Sequence, residues 1–253
     1  MSITVQAVNN GIRDKLRRLS WRNPEWWVVM AAAVAWLFVA GISHTHASHT
    51  WITPGRDHTQ GTLGIVAMVI AMMVPLTIRN VRHVAQSSMW RRRHRAIAGF
   101  LVGYLAVWLV VQSIIVETWG LLAPLIGWRT AGSVAMVAAA LWEIAPLKRQ
   151  RLRRCHRTVP LAPRGWRADA DCARYGVSTG FSCVMMCWAL MVAAAAFSHS
   201  FLVMSVLFGV QVSGRYKRRP SPVLAALAVV GACLLVLAAD SLITMAGQSH
   251  SMH

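Results

Sequence analysis

The chain has 253 residues and a formal charge of +18, yet 56% of its residues are hydrophobic and only 13% are charged. That balance excludes an ordinary soluble domain and fits a polytopic membrane protein. It also argues against nucleic acid as a partner, because the basic residues lie in short clusters between apolar runs of helix-spanning length.

Residues 1–25 form a basic segment, with Arg13, Lys15, Arg17, Arg18 and Arg22 set around Leu16 and Leu19. The pattern is that of a short amphipathic helix on a membrane surface, followed by an aromatic anchor at Trp26 and Trp27. So long a polar lead, with no small-residue cleavage site after the apolar run, predicts a retained first helix rather than a signal peptide. Apolar runs then predict an all-α transmembrane bundle over residues 26–245, with spans at about 26–43, 61–78, 96–116, 131–147, 176–197, 201–213 and 223–245. The 201–213 run is short, so the count is seven spans, or six if it does not cross. Residues 246–253 form a His- and Met-bearing tail.

Charge sets the orientation. Residues 1–25, 79–95, 148–174 and 215–219 carry 5, 6, 9 and 4 Lys or Arg, and only Arg56 and Arg129 fall in the alternate loops. Cytoplasmic retention of positive charge therefore predicts a cytoplasmic N-terminus and, with seven spans, an external tail. The localisation expected is the bacterial cytoplasmic (inner) membrane, with lipid as the surrounding partner. On this topology 7 of the 10 histidines are external: His44, His46, His49, His58, His199, His250 and His253. With Met252 they make a candidate external collection site for copper or zinc in a region poor in Lys and Arg.

Sulfur is concentrated inside the predicted bundle. In Gly176–Met191, GVSTGFSCVMMCWALM, residues Cys183, Cys187 and Met191 recur at i, i+4 and i+8, one slowly drifting helix face. In the second span Met68 and Met72 are one turn apart, with Met73 adjacent. Pro75 should free the carbonyl near Ala71 and bend the helix. Thiolate and thioether suit Cu(I), with Zn(II) behind it, although Cys and Met also fill apolar cores. If the two helices touch, these residues surround one soft cation. Five cysteines, three of them in apolar segments, do not form an extracellular disulfide framework; free thiols or metal ligands fit.

Several short motifs occur in order: A-M-M-x-P (Ala71, Met72, Met73, Pro75), F-x-x-G-Y (Phe100, Gly103, Tyr104), P-L-K (Pro146–Lys148), C-x-R (Cys155, Arg157) and G-x-x-x-G-x-x-C-x-x-x-C-W-x-L-M (Gly176–Met191). Over about residues 60–220 this resembles a bacterial domain-of-unknown-function family described as predicted metal-binding integral membrane proteins. The resemblance implies a polytopic inner-membrane protein with a metal site and brings no reaction with it. Glu143 stands where that family usually has Gln before P-L-K.

No nucleophile–base set, phosphate loop or carboxylate pair is present, so the sequence points away from an enzyme. The leading expectation is copper handling: capture by external His and Met, then holding at the Met/Cys site, for transport or for loading a membrane-bound metalloenzyme. The rival is a structural accessory subunit of another membrane complex. A transporter of a different solute is disfavoured by the lack of an obvious polar pathway.

Overall fold

The computed structural model describes residues 23–45, 58–148, 159–162, 165–197, 201–216 and 221–250. Among these the secondary structure is helical throughout, with no strand. The eight α-helices are α1 (Trp26–Thr45), α2 (His58–Met73), α3 (Ile78–Ser87), α4 (Arg93–Ile126), α5 (Trp128–Ile144), α6 (Gly165–Ala196), α7 (Phe201–Tyr216) and α8 (Pro222–His250). Each predicted span has its helix. The continuous stretch Thr62–Ser87, together with α4 and α6, is long and apolar enough to cross a membrane. Trp26–Gly41, Phe201–Tyr216 and Pro222–Ala238 are shorter apolar helices.

Several helices extend beyond the apolar runs that announce them, α4 running past residue 116 to Ile126 and α8 past 245 to His250. The segment after the second span reads as a basic connector, but residues 78–87 form α3, with Val81, Val84 and Ala85 buried and Arg79 and Arg82 exposed. Apolar residues three or four apart make one stripe, and the stripe packs on the core while the charges face outward. Likewise α6 starts at Gly165 rather than near Gly176. Its 32 residues run about 48 Å, well over the roughly 30 Å of a bilayer core. One charge on the extra turns is paired with the head of α4: Asp169 meets Arg92 at 2.7 Å and Arg95 at 3.0 Å.

The spine of the bundle is the α4–α6 pair, the most extensive helix contact. Glycines allow it. A Cβ at Gly176 would lie 2.1 Å from the Phe100 carbonyl oxygen, and one at Gly103 would lie 2.4 Å from that of Ala173. Only residues without a side chain let two backbones come this close. Gly99, the other member of the small-residue step, sits at ordinary contact distance. Beyond the spine, α8 packs chiefly on α5, and α1 on α2. One continuous buried core joins the helices, and a smaller cluster around Phe100 and Val81 lies toward the head of α4.

Pro75 breaks the second helix where the sequence places the break. It heads a short 3₁₀ turn, Pro75–Thr77, between α2 and α3. Proline has no N–H, so the carbonyl four residues back loses its donor. That carbonyl belongs to Ala71, and it accepts instead from the Trp36 indole of α1 at 2.9 Å. The Thr77 amide turns to Val74 in the tighter turn, which leaves Met73 without its helical donor; the Tyr104 hydroxyl of α4 is 3.3 Å away. The Pro75 carbonyl accepts from Tyr216 of α7 at 3.1 Å. Three aromatic side chains from three helices thus stitch the break into the bundle.

Candidate metal centre

The six sulfur residues singled out in the sequence fall into the one large core. Met68, Met72, Met73, Cys183 and Met191 have no exposure, and Cys187 is 6% exposed. The helices that carry them are not close partners: α6 packs mainly on α4, and α2 on α1. The connection is made by Tyr104 of α4. Its hydroxyl lies 3.3 Å from the Met73 carbonyl of α2 and 3.3 Å from Cys183 Sγ of α6. Tyr104 thus stands between the two sulfur stripes, and the direct contact of their helices, on which one shared cation site depends, is not among the main helix contacts.

Cys183 and Cys187 are one turn apart on α6, and both are buried. A second neighbour reaches Cys183 from α7, where Arg215 Nη1 donates to Sγ at 3.6 Å. Arg215 is itself buried, at 8% exposure. Taking a guanidinium out of water is expensive, and such a group inside a bundle marks a working site by default. The sequence counts Arg215 only among the cytoplasmic basic residues. The signal that could have found it is its place one turn after Gln211 at the end of an apolar helix.

Near Cys187, Trp142 of α5 donates to the Met186 carbonyl at 2.9 Å, and its ring packs edge-on against Trp188. Next to this contact Glu143 is buried and forms an ion pair with Lys148. No group of three or more His, Cys, Asp or Glu that could hold a metal occurs among the described residues. The candidate soft ligands in this core are therefore two thiols and the methionine thioethers of the same cluster.

The histidine array lies mostly beyond the described residues. His44 falls in the last turn of α1, His58 opens α2 and His250 ends α8. His46, His49, His199, Met252 and His253 lie outside the described residues, as does nearly all of the basic segment 1–25.

A family model described as a copper chaperone, PpoB2, matches residues 63–239, more than two thirds of the chain. The chain belongs to this copper chaperone family. No curated protein and no solved structure matches it. The matched stretch contains Met68, Met72, Met73, Cys183, Cys187, Met191, Tyr104 and Arg215. It excludes His44, His46, His49, His58, His250 and His253. The copper chaperone family thus coincides with the sulfur core and not with most of the histidines. Copper is the metal with which this family is associated, and nothing comparable speaks for zinc.

Proposed function

We propose that the chain is a membrane-embedded copper chaperone that holds Cu(I) between Cys183 and Cys187 and passes it to a membrane-bound metalloenzyme. Seven spans with a cytoplasmic N-terminus, in a bacterial cytoplasmic membrane, are the topology this reading takes from the charge pattern. The observation that carries it is the convergence of Tyr104 and Arg215 on the sulfur of a buried thiol that has a second thiol one turn away.

Charge explains the convergence. Cu(I) held by two thiolates has a net charge of −1, which an apolar interior strongly disfavours. Arg215 brings the total to zero, and thioethers from the methionine-rich core add donors without adding charge. Zn(II) ordinarily takes four ligands from Cys, His and carboxylates. A pair of thiols among thioethers suits Cu(I) better.

The test is the copper content of the full-length protein purified in detergent and loaded with Cu(I) under reducing conditions. The parent should bind one Cu(I) that a moderate chelator does not remove. Cys183→Ser and Cys187→Ser should each lose that copper. Unchanged copper in both variants would leave the sulfur residues as packing and favour an accessory-subunit role.

A further inference from the structure

Two stripes of residues start at Cys183 Sγ and run away from it. On α4, Tyr104 is followed at one-turn steps by Trp108 and Gln112. On α7, which returns antiparallel to α6 after a short link, Arg215 is preceded one turn earlier by Gln211. The contact of Trp119 Nε1 with the Val192 carbonyl, at 3.1 Å, sets the register of α4 against α6. Seven residues back along both helices, Gln112 comes level with Met185, between the two thiols. The sequence offers no obvious polar pathway, but these positions put polar groups on the two helices that reach Cys183.

Among the described residues their side-chain polar atoms have no partner. Trp108 and Gln112 are fully buried and Gln211 is 5% exposed. The Trp108 indole nitrogen and both amide atoms of Gln112 and of Gln211 make no hydrogen bond among the described residues. Buried polar groups in folded proteins are almost always satisfied, and exceptions call for a bound water, an ion or a functional role. Five such atoms, on two helices that meet at one thiol, do not fit an apolar packing role. Leu or Met at positions 112 and 211 would fill similar space without leaving any polar atom unsatisfied.

We propose that Trp108, Gln112 and Gln211 hold a small cluster of water beside the thiol pair, and that Cu(I) reaches Cys183 and Cys187 through this hydrated pocket. The inference rests on the copper site proposed above. A cation crossing an apolar bundle has to exchange water for protein ligands, and amide oxygens and retained water lower the cost of that exchange. The amides act on the rate of loading; the thiols set the extent. No bond is made or broken at the glutamines, and copper stays monovalent throughout.

The experiment measures Cu(I) transfer from a coloured chelator to the full-length protein in detergent, by stopped flow, for the parent and for the double variant Gln112→Leu, Gln211→Leu. The double variant should load at least tenfold more slowly, reach the same copper stoichiometry and melt no lower than the parent. Loading at the parent rate would overturn the pocket. The Cys183→Ser, Cys187→Ser protein separates this result from failure of the site, because parent-like copper uptake there would refute the copper site itself. Should the double variant fail to fold, X-ray radiolysis of the parent gives the second measurement. Bound water turned to hydroxyl radical should modify Trp108 well above Phe100, which is equally buried. Equal, negligible modification of both would count against the water.

Discussion

At Cys183 a single sulfur atom has a phenol from one helix and a guanidinium from another within hydrogen-bonding reach. Neither neighbour can substitute for the thiol as a ligand, but both favour a negatively charged sulfur. Groups that orient or neutralise metal ligands typically contribute about 10–100-fold in metal affinity. Tyr104→Phe and Arg215→Met should each weaken Cu(I) binding by that order, measured by competition with a Cu(I) chelator. Arg215→Lys keeps the charge and should recover part of the loss, whereas a purely steric role for Arg215 would put Lys and Met on a par. The sulfur residues of the proposed site are picked out in the sequence by the i, i+4, i+8 spacing of Cys183, Cys187 and Met191, and the structure buries all three. Tyr104 and Arg215 are not picked out, because their relation to Cys183 spans 79 and 32 residues of sequence. Periodicity reports faces within one helix and carries nothing about which helices meet.

The helices over the apolar runs follow from the length of those runs, so their order could be read directly, but α3, in what reads as a basic connector, could not. Nor could the helix ends. Charged residues on α3 and at the head of α6 look like loop, yet these turns are helical with one apolar face buried, and on α6 Asp169 pairs with Arg92 and Arg95. The Pro75 break was legible because a missing N–H has a fixed consequence for the carbonyl four residues earlier. That the donor to Ala71 would be Trp36 was not. Removing this donor by Trp36→Phe leaves the Ala71 carbonyl unsatisfied and should cost about 1–3 kcal/mol, seen as a lower melting temperature in detergent. The glycines give a sharper contrast at the same scale. Gly103→Ala and Gly176→Ala force backbone against backbone and should destabilise by about 1–3 kcal/mol or more. Gly64 and Gly209 have nothing within 4 Å of an added Cβ. Alanine at either should be neutral or stabilising by up to about 1 kcal/mol. Equal behaviour of the two pairs would mean that the α4–α6 contact is looser than the close approach at Gly103 and Gly176.

For the molecule as a whole, the proposed route of copper depends on which side faces out, and the charge asymmetry predicts that side. On the predicted topology only Arg56 and Arg129 fall outside the cytoplasmic clusters of Lys and Arg. Reporter fusions after these two should read external, and fusions after Arg93 and Arg164 cytoplasmic. On that topology His44, His46, His49 and His58 stand on the external side, outside the stretch shared with the copper chaperone family. Imidazole binds Cu(II) as well as Cu(I), whereas thiolate and thioether select Cu(I). Histidines and sulfurs should then act in series, the first loose and fast, the second tight. Replacing His44, His46 and His49 with Ala should slow loading at low copper and leave the final stoichiometry untouched, the opposite of the cysteine variants. Acid provides an independent check. Imidazole has an ordinary pKa of about 6.5, so at about pH 5 most histidines are protonated and lose their lone pair to the proton. Loading by the parent should therefore slow as pH falls from about 7 to 5, and loading by the triple-Ala protein should change much less. A parent and a triple variant that slow equally would place the acid-sensitive step at the sulfur site and remove the histidines from the route.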